Sequence, residues 1–447
     1  MRFVVPPHLV STALVSALAL IGVEAASAQE FAGRDKLFAH SNEFRRDVIQ
    51  VTDGVYVAVG FALANVILVE GDDGLLIIDT TEGMGAAREV RAEFDRISTK
   101  PVRAIIYTHS HPDHVRGSRA FVGDVEPEVY AHEKQLRENL PTAVGRAGRD
   151  GGNQFGLALP AESRPNAGIG PSLVLGGGDG YMRPTRTFSG ESYSFEVAGV
   201  KIVLVYAPGE TDDQLFVWLP EKRTLLPGDN FYRAFPNLYA IRGVPLRRVD
   251  HWLESLSDMI ALEPEYLVPS HTRPIMGRAA VDAALTGYHA GVSSVLQQTL
   301  AGMNRGLRPD ELVEQVTLPP ELADNPYLQE FYGTVAWSVR SIYTFHLGWF
   351  DGNATSLFPL SNRDRAARII RLSGGEAAVL EAGRAALAAG DFQWAAELAD
   401  YVLAGDNDHA EGRELKASAL AELGERQISA NARNYYLSTA QALRQGR

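Results

Sequence analysis

The chain has 447 residues, 42 Lys and Arg against 55 Asp and Glu (net charge −13), 45% hydrophobic residues and no cysteine. That length exceeds what one hydrophobic core sustains, so two or three domains are expected. Without thiols there are no disulfide scaffolds, thiolate nucleophiles or thiolate metal sites; any metal must be held by His and carboxylate, and the acidic balance argues against a nucleic-acid partner.

Taken in chain order, Arg2 precedes an apolar run from Val10 to Val23, followed by Ala26-Ser27-Ala28. A small-x-small site after a short apolar run is the pattern of a secretory signal peptide, here residues 1–28, and about 14 apolar residues fall short of the roughly 20 that a membrane span needs. A periplasmic or secreted protein with no stable membrane span after cleavage is therefore expected.

From Val55 to about Gly277 short β-rich runs alternate with helical ones. The expected strands are Val55–Val59, Val66–Glu70, Leu75–Asp79, Arg103–Tyr107, Val129–Ala131, Lys201–Val205, Leu215–Leu219, Thr224–Leu226 and Tyr266–Pro269; the expected helices are Ala86–Ile97 and Val249–Leu262. Asp72-Asp73-Gly74 between two apolar strands marks a hairpin. Gly145 to Gly190 is rich in Gly, Pro, Asn and Ser without periodicity and reads as a long loop, of the kind that is usually functional or disordered. After Ala280 the signal is helical: Gly374–Ala404, broken near Gly390-Asp391, and Ala410–Leu423 resemble a degenerate tetratricopeptide unit. So few repeats cannot bury their own faces, so this region is expected to pack on the α/β domain or on a partner subunit. The expected organisation is a catalytic domain over 29–285 and a helical domain over 286–447.

Chemistry concentrates after the fourth strand, in Thr108-His109-Ser110-His111-Pro112-Asp113-His114. A His-x-His pair can share one cation while Asp113 and His114 serve an adjacent one, and loops after strands are where α/β folds build sites. Later strand ends supply further candidates in order: Glu210 in Pro208-Gly209-Glu210-Thr211, Asp229 in Pro227-Gly228-Asp229, and His271 in Pro269-Ser270-His271. Asp79 ends its strand and reads equally as an orienting group for a ligand histidine or as a turn residue. Phe231, Tyr232, Phe235 and Trp349 read as core more readily than as an alkyl-binding slot.

This order of ligands resembles the metallo-β-lactamase superfamily, which implies an αββα sandwich (α/β class) with a dinuclear site. By that resemblance His109, His111 and Glu210 hold one of two zinc ions per subunit, Asp113, His114 and His271 hold the other, and Asp229 bridges; Asp113 and Asp229 are also the catalytic carboxylates. Glu210, where most of the superfamily has His, is similar to the alkylsulfatase branch. So are Asn237-Leu238-Tyr239-Ala240-Ile241-Arg242-Gly243 and Gly348-Trp349-Phe350-Asp351-Gly352-Asn353, the latter in that branch's dimerisation domain.

The branch implies a homodimer that hydrolyses small-molecule alkyl sulfate esters to alcohol and sulfate, with Arg242 on the sulfate. Three features depart from it: Asp229 stands where Glu is usual, Val115-Arg116-Gly117 where Phe-Gly-Gly is usual, and a sterol-carrier-like C-terminal domain is lacking. Other readings of the residues are a lactonase or β-lactamase on the same scaffold, and a non-catalytic binding module.

Overall fold

The computed structural model describes residues 31–138, 145–173 and 175–446; the expected leader lies outside them. One mixed sheet runs β1 (Asp47–Thr52), β2 (Val55–Val59), β3 (Val66–Glu70), β4 (Leu75–Ile78), β5 (Val102–Ile106), β6 (Glu128–His132) and β7 (Arg186–Phe188) in that spatial order. Its first four strands pair antiparallel and its last four parallel. The second sheet comprises β8 (Ser192–Val197), β9 (Val200–Tyr206), β10 (Leu215–Leu219), β11 (Thr224–Leu226), β12 (Tyr266–Leu267) and β13 (Ile275–Met276), side by side in chain order.

Alternation places one set of side chains between the sheets: Val55, Val57, Ile67, Val69, Leu76 and Ile78 meet Ile202, Leu204, Leu215 and Val217 in one core. Neighbouring residues of the first sheet, such as Leu68, Ile77 and Ile105, point outward beneath the helix Met84–Phe94, which lays Ala87, Val90 and Phe94 on them. Each Val or Phe so covered contributes about 1.5–3 kcal/mol of hydrophobic stabilisation. The outer face of the second sheet packs on the helices Val249–Ala261 and Arg278–Asn304 through Phe216, Trp218, Trp252 and Tyr288. The layers are thus helix, sheet, sheet, helix.

The expected division at 285/286 falls inside the single helix Arg278–Asn304. Val281 and Leu285 share one core with Val292, Leu312, Val339 and Ile342, so the first helices of the expected helical domain form an outer layer of the sandwich. A separate core unites Glu376–Ala388, Phe392–Gly405, Ala410–Glu425 and Ala430–Arg444. The break foreseen near Gly390 is a positive-φ glycine (φ 81°) followed by Asp391, whose carboxylate caps the next helix at Trp394 N.

The long loop expected over 145–190 is corrected in part: it contains the helix Gly145–Gln154 and β7. Neither carries apolar periodicity, and both exist through tertiary contacts. Among the described residues no helix is long and apolar enough to cross a membrane.

Candidate metal centre

Every chemistry-bearing loop leaves the C-terminal end of a strand at the same edge of the sandwich. Asp79 follows β4, the histidine loop follows β5, Glu210 follows β9, Asp229 follows β11 and His271 follows β12. The backbone bond from Leu215 N to Thr108 O, 2.8 Å, ties the second sheet to the start of the histidine loop. Two glycines permit the close approach. A Cβ on Gly117 would lie 1.7 Å from Thr80 O, and one on Gly228 (φ 60°) would lie 2.4 Å from Gln214 Nε2.

The loops converge on two groups with metal-ligand spacing, His109/His111/Asp229 and Asp113/His114/His271, the candidate atoms of each lying within 4.8 Å of one another. Asp229 Oδ2 joins them, 3.7 Å from His109 Nε2, 3.5 Å from His114 Nε2 and 3.2 Å from His271 Nε2. Glu210 stands at the rim of the first group, its Oε1 3.7 Å from His111 Nδ1 and 2.9 Å from Arg247 Nη2. All seven expected ligand residues are therefore brought together.

The donor set fits cations. His114 Nε2, Asp229 Oδ1 and Glu210 Oε2 are buried with no hydrogen-bond partner, and each, once free of any proton, offers a lone pair that a metal ion would engage. The far nitrogens are occupied by orienting contacts. His114 Nδ1 meets Asp79 Oδ2 at 2.8 Å and His271 Nδ1 meets Leu63 O at 2.9 Å, which fixes both rings with Nε2 turned inward. Asp79 thus takes the orienting role, one of its two sequence readings.

Electrostatics divide the histidines. Burial, reinforced by neighbouring His114, lowers His109 to about 3, and burial with His109, Arg242 and Arg247 alongside lowers His111 well below its usual value. Burial pulls His114 and His271 the same way, but the carboxylates of Asp229 and Asp113 outweigh it and raise both. Burial alone would raise Asp113 and Asp229, yet the facing imidazoles hold both below the ordinary carboxylate range. Glu210 is pushed up to about 7 by burial, against the adjacent Arg247 guanidinium.

Arg242 Nη2 lies 3.5 Å from His111 Nε2, and its Nη1 is buried without a partner. Arg247, absent from the sequence expectations, is 6% exposed; it pairs with Glu210 and donates to Asn237 O. Its signal was its place five residues after Arg242, but Arg248, the exposed neighbour, is indistinguishable from it by type. Phe231, Tyr232 and Phe235 are buried core, as expected, whereas Trp349 is exposed. His40 stacks on Phe331 at 3.9 Å and His409 caps a helix, both away from the centre.

Comparison with known proteins places the chain in a family. Residues 59–271 match the metallo-beta-lactamase superfamily and residues 308–446 match alkyl sulfatase dimerisation. The linear primary-alkylsulfatase of a Pseudomonas strain is 39% identical over 389 residues, covering 84% of this chain and 73% of that enzyme. The chain belongs to the alkylsulfatase family. Within that family the alkyl/aryl-sulfatase BDS1 of Saccharomyces cerevisiae is 29% identical, the match covering 89% of this chain and 64% of that one. The solved structure of the stereoselective inverting sec-alkylsulfatase Pisa1 from Pseudomonas superposes with a TM-score of 0.85 at 27% identity, over 90% of this chain and 66% of the other. The chain thus spans a little under two thirds of these last two alkylsulfatases.

Proposed function

We propose that this chain is an exported dinuclear zinc hydrolase that cleaves alkyl sulfate esters to alcohol and inorganic sulfate. The observation that carries the reading is the Arg242 guanidinium, with a buried unpartnered Nη1, beside the two ligand groups. A guanidinium fork matches a tetrahedral oxyanion, and a buried donor without an acceptor is costly until an anion arrives. Membership of the alkylsulfatase family supports the same substrate class.

In this reading His109, His111 and Glu210 hold one cation, Asp113, His114 and His271 the other, and Asp229 lies between them. His and carboxylate ligands suit Zn²⁺. Two such cations, when bound, supply an activated water at neutral pH and stabilise negative charge on the ester. The protein's own groups do the rest. Arg242 binds and orients the sulfate, Arg247 holds the Glu210 carboxyl, and the closely packed ligand loops exclude bulk solvent. The overall reaction converts the ester and one water into alcohol, sulfate and a proton.

Export is supported by the Val10–Val23 run and Ala26-Ser27-Ala28, and an N-terminus at Gln29 in mature protein tests it. The homodimer is supported by the dimerisation match and by an exposed apolar segment inside it, in which Trp349 is 72% and Phe358 95% exposed. The decisive experiment incubates protein from Gln29 onward with dodecyl sulfate and measures sulfate, alongside a chelated sample and Glu210→Ala. Release that is lost in both controls is expected. A sample holding two metal ions that releases none would overturn the substrate, and lactones and β-lactams would be tried next.

A further inference from the structure

The helix Gly145–Gln154 reads GRAGRDGGNQ, with glycine at four of its ten positions. A ten-residue helix is marginal in water, and each interior glycine weakens it further relative to alanine, so this one persists because something holds it. The holder is the last helix of the chain, Ala430–Arg444. Tyr435 Oη donates to Asp150 Oδ1 at 3.1 Å, Asn434 Nδ2 to Gln154 O at 3.2 Å, and Gln441 Nε2 to Ala158 O at 2.9 Å. Asn434 also fills the space beside Gly156, where a Cβ would lie 3.0 Å from its Cγ. The start of the same terminal helix is tied down in turn, since Ser429 and Asn431 both donate to Tyr332 O.

The other side of the glycine-rich helix faces Arg242. A Cβ on Gly151 would sit 3.7 Å from Arg242 Cδ, so the helix backbone runs over the arginine stem. Gln154, fully buried, accepts the Arg242 backbone N–H on its Oε1 at 3.3 Å. The other end of that amide, Nε2, is buried without an acceptor, as is Arg242 Nη1. Each is a buried donor whose hydrogen bond is left for a group that arrives from outside the protein.

We infer that Gln154 is a positioning residue for Arg242, held in place by the terminal helix, so that the helical domain sets the affinity of the centre for a sulfate group. The inference rests on the reading of Arg242 as the sulfate-binding residue. Binding of the substrate sulfate and of free sulfate is governed by the same aligned guanidinium. Loosening it weakens ground state and transition state together and appears in KM rather than kcat.

The test compares wild type, Gln154→Met, Asn434→Ala and the double variant, all metal-loaded and from Gln29 onward. It measures alkyl sulfate kinetics, calorimetric affinity for inorganic sulfate, metal content and thermal midpoint. Gln154→Met should raise KM about tenfold with kcat within about twofold and weaken inorganic sulfate in parallel, the scale of one lost buried hydrogen bond. Asn434→Ala, which touches neither Arg242 nor a ligand residue, should move both quantities in the same direction by about threefold. The double variant should be no worse than Gln154→Met, because both act through one contact.

Folded, metal-loaded variants with unchanged KM and unchanged sulfate affinity would overturn the inference, as would a fall in kcat at constant KM. The two readings separate cleanly. A wild type that binds sulfate with the expected variant effects but hydrolyses no alkyl sulfate sinks the function alone. An active wild type with silent variants sinks the positioning alone.

Discussion

Asp79 Oδ2 and His114 Nδ1 lie 2.8 Å apart with no solvent access to either side chain. The same carboxylate accepts from Thr108 N at 2.9 Å, Thr108 Oγ1 at 2.8 Å and Ser270 Oγ at 2.7 Å. One residue at the end of β4 therefore fastens the loop after β5 and the loop after β12, which carry five of the seven residues proposed as ligands. Its backbone sits at φ 56°, a conformation that an ordinary residue keeps where its surroundings impose it.

Asp79→Ala removes the partner that holds His114 with Nε2 inward. Loss of such an outer contact typically costs 10–100-fold in metal affinity, and that range is expected here. The loss should be larger for the cation proposed to sit at Asp113, His114 and His271 than for its proposed neighbour. Competition with a chromophoric chelator measures both steps, and equal affinities in variant and wild type would remove Asp79 from the ligand scaffold.

Metal uptake should be proton-coupled, and unequally between the two groups. His109 and His111 are lowered and so bare at neutral pH, whereas His114 and His271 are raised by Asp229 and Asp113 and keep their protons to higher pH than a free imidazole in the metal-free protein. A cation entering the second group must displace those protons, so its affinity rises with pH and fails first on acidification. The metal-free protein behaves in the opposite sense. Contacts of the raised imidazoliums stabilise it fully below pH 6.5 and are lost as pH climbs through their raised values. Calorimetry in buffers of different ionisation enthalpy should show greater proton release with the second ion, from the raised His114 and His271, than with the first, whose one raised group is Glu210 at about 7; equal release would contradict the division.

What the sequence disclosed followed from strong local signals. Val55–Val59, Val66–Glu70 and Leu215–Leu219 are apolar runs whose bounds coincide with the strands, and each proposed ligand stands in a loop that leaves a strand end. β8 was invisible because Ser192, Tyr193 and Ser194 face solvent; its partner β9 defines it, not burial. Residues 145–154 read as loop because their helix propensity is poor, and the cause of the helix lies about 280 residues away, at Asn434 and Tyr435. Arg247 and Arg248 are adjacent and alike in type, yet one is buried against Glu210 and the other pairs with Asp250 in solvent, a difference that only the tertiary fold creates.

His40 gives a stability test remote from metal. It is 8% exposed, stacked on Phe331, and its Nε2 meets Gly168 O at 2.9 Å. Burial, with a smaller contribution from Arg233, lowers it from 6.5 to about 4, although the Gly168 carbonyl works the other way. The unfolded chain binds the proton more readily, so stability present above pH 6.5 is lost as pH falls through about 4, by about 3 kcal/mol in all. His40→Gln should destabilise at pH 7 but flatten the difference at pH 4, as read by denaturant unfolding at both values. A constant gap between variant and wild type would mean that His40 does not titrate in this window.

The exposed apolar segment sets the last expectation. Leu347, Trp349, Leu357 and Phe358 are 54%, 72%, 46% and 95% exposed, within the stretch that matches alkyl sulfatase dimerisation. Large aromatics left in water in this way are the typical anchors of an interface, and truncating one such anchor costs about 2 kcal/mol or more. Phe358→Asp should therefore weaken self-association by roughly 30-fold or more, since 1.4 kcal/mol is a factor of ten, and adding Trp349→Asp should leave monomer at micromolar concentration. Both side chains lie outside the cores, so the fold and the metal content should be retained. Sedimentation velocity across a dilution series reads the equilibrium directly, and an unshifted dimer in the double variant would place the contact on another face of the helical domain.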